Sequence, residues 1–270
     1  MFKRFIINPP VFYGAIAVIG GIVPVYNIEG VPERQLKLTG EILADIFNAR
    51  ITRWNDAALV QVNQGTTLPD AAITPVYRAD GSGTTDVFTT YLSQVSEAWK
   101  GGPGAGASVR WPIGQGGKGN EGVAALVKQV PNSIGYVEYA YAKQTRIPVA
   151  QLQNRNGKFI VPSAQTFQAA AAGADWKPAS GFGISLTNQP GDEAWPITSP
   201  TFIRVHRTPE KPEQVLEVLR FFDWAFSKGD PMAVELDYVP LPDQVKDLVR
   251  ATWQSEVKDK SGQPLLKKPS

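Results

Sequence analysis

Twice in this chain a short apolar run gives way to a glycine-bearing loop and then to apolar residues at helical spacing. Ile73–Tyr77 reads as a strand and Arg78–Gly83 as a tight loop. From Thr84 onward, Val87, Phe88, Tyr91, Leu92 and Val95 keep the period of a helix. The same order returns at Val109–Ile113, Gly114–Gly119 and Glu121–Val130, and more loosely at Ile134–Lys143. Alternating strands and helices predict an α/β fold. Ahead of them, Ala15–Ile28 reads as a buried strand bent at Gly20-Gly21. Thr39–Asn48 reads as a helix: Thr39 is its N-cap, Glu41 suits the positive end of the dipole, and Ile42/Ile46 and Leu43/Phe47 pair at i,i+4. A further helix follows Trp54-Asn55. Beyond the repeats, helices are expected at Ser163–Ala172, Pro212–Phe226 and Asp243–Trp253, and a strand at Thr201–Arg207. The polar tail Lys258–Ser270 reads as loosely held.

Composition removes several classes of function. The formal net charge of +2 among 270 residues gives no basic footprint for nucleic acid. With no cysteine there are no disulfides, thiolate metal ligands or thiol nucleophile. One histidine, His206, cannot build a His-based zinc site, and its alternating surroundings read as a half-exposed strand. The seven tryptophans are scattered, which suits packing better than a stacking platform. At the N-terminus, Lys3 and Arg4 before an apolar stretch, with Ala15-Ile-Ala17 after it, have the outline of a signal peptide. Asn8-Pro9-Pro10 interrupts the apolar part, and Gly14, Gly20, Gly21 and Pro24 suit neither a signal helix nor a membrane span. Met1–Gly14 is therefore unplaced.

The segment Arg78-Ala79-Asp80-Gly81-Ser82-Gly83-Thr84 has the parts of an oxyanion site. A helix N-terminus leaves backbone N–H groups unpaired and carries partial positive charge, so an anion satisfies both. Gly81 and Gly83 let the backbone come close. Ser82 and Thr84 add hydroxyl donors, and Arg78 offers a planar fork matching two oxygens of a tetrahedral anion. Asp80 beside an anion needs a purpose. It either orients Arg78 or accepts a proton from a ligand that still carries one, as phosphate does near neutral pH and sulfate does not. The same residues also suit a plain capped turn, with Ser82 or Thr84 as N-cap and Arg78 paired to Asp80.

Two rival readings are weaker. Gly114-Gln-Gly116-Gly117-Lys118-Gly119 fits the dinucleotide pattern G-x-G-x-x-G, with Glu138 downstream for a ribose, but Pro112 interrupts the strand before it. It is no Walker A loop, because Gly follows Lys118. A phosphatase would use Ser82 as nucleophile with Asp80 or Asp86 as base. No second carboxylate cluster or histidine is evident to hold a metal or protonate a leaving group. No catalytic residue, metal ligand or cofactor is assigned.

Arg78–Thr85, with Phe88, Thr89, Tyr91-Leu92-Ser93 and Trp99-Lys100 after it, resembles the signature of the phosphate ABC-transporter substrate-binding proteins of the PstS type. The likeness continues through Trp111–Gly114, Gly117–Gly122, Ile134–Lys143, Ala174–Trp176, Ala194–Thr198, Phe221–Trp224 and Leu236–Tyr238, in order, from about Ala15 to the end. It implies a two-lobed class II periplasmic binding protein that delivers inorganic phosphate to a membrane permease driven by an ATPase. It also implies a periplasmic location and a monomer. Carried over by residue, Arg78 grips phosphate oxygens, Asp80 braces that Arg, and Ser82, Gly83 and Thr84 donate hydroxyl and backbone hydrogen bonds. Gly114–Gly119 becomes a family loop near the cleft. Family members begin with further β-α units: a Thr-Phe-Pro loop, a Ser-Gly-Gly helix start, and an Ala-Ser-Asp segment whose Asp accepts the phosphate proton. None is found here. The expected organisation is therefore an unplaced 1–14, a complete phosphate-cleft lobe over 15–189, the C-terminal part of a second lobe over 190–257, and the tail 258–270. The alternative is a binding-impaired remnant, or an interaction fragment that needs a separate N-terminal piece.

Overall fold

The computed structural model describes residues 12–176 and 184–266. In chain order the elements are β1 (Phe12–Asn27), β2 (Lys37–Leu38), α1 (Gly40–Phe47), α2 (Ala57–Val62), β3 (Thr74–Arg78), α3 (Gly83–Val95) and α4 (Glu97–Gly101). Then come β4 (Gln115–Gly117), α5 (Gly119–Gln129), β5 (Ser133–Glu138), α6 (Tyr139–Thr145), β6 (Gln151–Gln153), β7 (Phe159–Ile160) and α7 (Ala164–Ala172). The last are β8 (Thr198–His206), α8 (Pro212–Lys228), α9 (Asp230–Glu235) and α10 (Asp243–Glu256). The chain packs as two units. The larger holds Gly20–Gly173 and Leu186–Ser199; the smaller takes the chain up to Ile19, Ala174–Ser185 and Pro200–Ser270. This differs from a division at Gln189 in giving Ala174–Ser185 to the smaller unit and Leu186–Ser199 to the larger.

In the larger unit the strands stand in the order β4-β3-β5-β1. β3 runs parallel to both β4 and β5, and β1 closes the set antiparallel to β5, from Ile22 opposite Glu138 to Asn27 opposite Ser133. Parallel strands are covered on both faces, which is why β5 is buried from Ser133 to Val137. Its core is aromatic. Phe47, Trp54, Phe88, Tyr91, Trp99 and Tyr136 are all buried, each such side chain contributing about 1.5–3 kcal/mol. A second small sheet joins β2 to β6 in parallel and β6 to β7 antiparallel. The expected N-cap Thr39 accepts the Ile42 N–H at 3.1 Å, and Ser163 caps α7 reciprocally with Thr166.

Two expectations are corrected. Val109–Ile113 is not a strand; the strand of that repeat is β4, with Val76 opposite Gln115 and Arg78 opposite Gly117. Pro112 has no N–H for a ladder, and the Trp111 ring is committed to the core, stacked on Tyr77 at 5.0 Å. Gln-Gly-Gly pairs instead because it can lie close to the helix behind it: a Cβ on Gly117 would stand 2.7 Å from the Gly122 carbonyl carbon and the Val123 nitrogen. The described part of the tail, 258–266, is also better held than expected. The Lys258 N–H donates to the Arg207 carbonyl, Leu265 donates to Val257, and Asp259 accepts from Ser261 and Gln263. β1 runs without a break through Gly20-Gly21, and Gly21 is where the Phe167 ring leaves no room for a side chain. Any signal-peptide reading of residues 1–11 falls outside the described residues.

In the smaller unit Ile19 bridges Val239, and Phe226 of α8 stacks on Trp253 of α10 at 5.5 Å. Lys246 is buried and ion-paired to Asp230 at 2.6 Å and Asp243 at 3.3 Å. His206 is exposed at the end of β8. Among the described residues no helix is long and apolar enough to cross a membrane.

Candidate functional site

All five expected residues fall in one strand-to-helix turn of the larger unit. Arg78 ends β3, Asp80 lies in the turn, Ser82 is the N-cap of α3, and Gly83 and Thr84 are its first two residues. β3 delivers Arg78 there because Pro75 and Val76 are buried in the sheet. The Ser82 side chain accepts the Thr85 N–H at 3.3 Å, and its main-chain N–H donates to Ala107 at 2.9 Å. Among the described residues, the N–H groups of Gly83 and Thr84 have no acceptor. They stand at the positive end of a 13-residue helix. A Cβ on Gly81 or Gly83 would meet nothing within 4 Å, so the turn is open on that side.

Arg78 and Asp80 form a bidentate pair. Nε donates to Oδ1 at 2.9 Å and Nη2 to Oδ2 at 2.7 Å, with the Arg78 side chain only 10% exposed. A guanidinium taken that far out of water needs charged partners, and two parallel bonds also fix its plane. Asp80 accepts a third bond, from the Gly119 N–H at 3.0 Å, at the start of α5. The Arg78 hydrogen bonds, then the Gly119 N–H, hold the Asp80 carboxyl well below the usual carboxylate range, and Asp80 in turn raises Arg78. Burial pushes the Asp86 carboxyl, one turn into α3, upward.

Two contributors were not assigned from the sequence. One is Gly119, which belongs to the stretch weighed as a dinucleotide loop. β4 occupies the middle of that stretch, so the strand-loop-helix context such a motif needs is absent. The other is Tyr136 on β5, whose ring stacks on Phe88 at 4.0 Å and 8°. Its hydroxyl accepts the Arg78 main-chain N–H at 3.2 Å and lies 2.7 Å from Thr85 Oγ1. Burial pushes that phenol up to about 12. Among the described residues there is no group of three or more His, Cys, Asp or Glu side chains that could hold a metal ion.

The turn can therefore present a fixed guanidinium, a hydroxyl and two open N–H groups to an anion of oxygen. Comparison with known proteins matches the profile of the PBP superfamily domain over residues 3–228. The phosphate-binding protein PstS of Pasteurella multocida is 55% identical over 249 residues, covering 92% of this chain and 72% of that one. The PstS protein of Haemophilus influenzae is 50% identical over 242 residues, covering 90% and 72%. Among solved structures, a high-affinity periplasmic phosphate-binding protein with phosphate bound superposes at a TM-score of 0.72 and 18% identity, covering 96% of this chain and 77% of that one. The phosphate-binding protein from Stenotrophomonas maltophilia does so at 0.68 and 18%, covering 99% and 80%. The structural likenesses establish the α/β periplasmic-binding-protein fold, and the sequence identities establish the kinship. This chain belongs to the PstS family of phosphate-binding proteins, within the PBP superfamily.

Proposed function

We propose that this chain binds inorganic phosphate as the extracytoplasmic substrate-binding component of a phosphate-import ABC transporter, with Arg78, Asp80, Ser82, Gly83 and Thr84 at the anion. The observation that carries this reading is the Arg78 fork, clamped in plane by Asp80, beside the open N–H groups of Gly83 and Thr84. Donors held before the ligand arrives lose little entropy on binding it. Each charge-assisted bond is worth about 1.5–3 kcal/mol, so about four of them reach the roughly 8 kcal/mol of micromolar affinity.

Of the two roles open to Asp80, orienting Arg78 fits its three accepted bonds. A carboxylate with three of its roughly four acceptor sites filled and its basicity lowered by Arg78 suits bracing better than taking a ligand proton. The partners proposed with phosphate are the transporter's permease and no nucleic acid; the chain works in the periplasm as a monomer. Isothermal titration of the purified chain with phosphate and with sulfate tests the reading. It expects micromolar or tighter phosphate binding, with sulfate of similar strength, because Asp80 is committed to Arg78 and leaves the turn no acceptor for the phosphate proton. No heat with phosphate at millimolar concentration removes it. Light scattering across a concentration series checks the monomer.

A further inference from the structure

We propose that Tyr136 is a positioning residue for the anion site, acting through one oxygen that ties together both ends of the Arg78–Thr84 turn; this rests on the phosphate reading above. The turn leaves β3 at Arg78 and enters α3 at Ser82 and Gly83. Its donors are useful only if those two ends keep a fixed separation. The Tyr136 hydroxyl sits at both ends at once: it accepts the Arg78 N–H at 3.2 Å and pairs with Thr85 Oγ1 at 2.7 Å. A phenol oxygen that accepts from Arg78 can still donate its hydrogen to Thr85 Oγ1 or accept the Thr85 hydrogen, so either direction keeps the tie. Tyr136 and Thr85 are both fully buried, so water does not compete for these bonds.

The phenol itself cannot drift. Its ring is stacked on Phe88, which belongs to α3, and packs against Phe47 at 6.0 Å and Trp111 at 5.9 Å. The preceding residue acts on the other part of the site. Gly135 lets α5 lie against β5, since a Cβ there would stand 2.9 Å from Val127 Cγ2 and 3.1 Å from Val123 Cγ1. α5 begins at Gly119, which holds Asp80. Adjacent residues of β5 thus set the height of the α5 N-terminus and the span of the anion turn. Tyr136 touches none of the proposed ligand donors except through the Arg78 main chain, so it positions rather than binds.

The test compares Tyr136→Phe, Thr85→Val, Thr85→Ser and the Tyr136→Phe/Thr85→Val double variant. Tyr136→Phe keeps the stacked ring and removes only the tie. Its phosphate Kd is expected to rise about three- to tenfold, the size of one or two neutral hydrogen bonds. Thr85→Val is expected to match it, Thr85→Ser to bind like the parent, and the double variant to be no worse than Tyr136→Phe alone, because both changes cut one connection. Loss of stability in a still-folded protein would not give that pattern. The ligand-free amide shifts of Ala79–Thr84 are expected to move in Tyr136→Phe and not in Thr85→Ser. Parent-like affinity in Tyr136→Phe overturns the proposal. If Tyr136→Phe does not fold, equal affinity in Thr85→Val and Thr85→Ser overturns it. Should the parent chain bind no phosphate, the function proposed above fails instead, and unmoved Ala79–Thr84 shifts in Tyr136→Phe then reject the tie on their own.

Discussion

Ser82 has two jobs in this account, and one substitution separates them. As N-cap of α3 its oxygen accepts the Thr85 N–H, and in the proposed site its hydroxyl would donate to the anion. Aspartate is as good an N-cap as serine, so Ser82→Asp keeps that bond and leaves the melting temperature within a few degrees of the parent. At the anion the change is severe. A carboxylate about 4 Å from a unit negative charge is repelled by roughly 4 kcal/mol at an effective dielectric constant of about 20, near a thousandfold in Kd. Ser82→Ala should do the opposite. It loses the cap, at about 0.5–2 kcal/mol of stability, and a single donor, weakening phosphate by about ten- to a hundredfold. The assay is a pair of thermal melts and calorimetric titrations on parent, Ser82→Asp and Ser82→Ala. A Ser82→Asp protein that melts like the parent and also binds phosphate like the parent refutes the placement of the anion at the α3 N-terminus.

Other outcomes follow from the same geometry. Gly117→Ala forces a methyl against the backbone of Gly122 and Val123, and is expected to lower stability by about 1–3 kcal/mol and to weaken phosphate binding by shifting Gly119; a parent-like melt would contradict it. The Asp80 carboxyl should show no inflection between pH 3.5 and 6 in a carbon-13 titration, because it titrates below the ordinary carboxylate range; the stability it contributes is present above an unfolded pKa of about 3.9 and lost only as pH falls through the lower folded value. A midpoint near 4 would mean that the clamp is loose. At alkaline pH the sign reverses. Tyr26 and Tyr136 are pushed up to about 12 by burial, and Tyr91 is raised too, so above pH 10 the unfolded chain gives up protons that the native one keeps. The melting temperature should fall steadily from pH 10 toward pH 12, and a flat profile over that range would count against the burial of these phenols.

The parts of the fold that were legible in the sequence are those set by neighbours along the chain. β3 leading into α3 was written in Ile73–Tyr77 and in the apolar spacing from Val87 to Val95, and the Thr39 cap by a hydroxyl three residues before the apolar stripe. All five candidate residues could be named together because one turn contains them. β4 was not, since Gln-Gly-Gly has neither apolar alternation nor β-branched residues. Its reason for being a strand is the helix behind it, and the eye goes instead to Val109–Ile113. The long-range partners were equally invisible. Gly119 meets Asp80 across 39 residues, and Tyr136 meets Arg78 across 58. No local pattern marks one buried tyrosine among several as the one whose oxygen reaches a site. The alternative roles of Asp80 also needed coordinates, because only the count of bonds it accepts favours bracing Arg78.

The central claim is that phosphate sits on the N-terminus of α3 against Arg78. A phosphate titration of the nitrogen-15-labelled chain, followed at the backbone amides, tests it most directly. The open N–H groups of Gly83 and Thr84 should move downfield together and saturate with the same Kd as the Arg78 Nε signal. Phosphate that binds without moving Gly83 and Thr84, or that moves only amides elsewhere, contradicts the account.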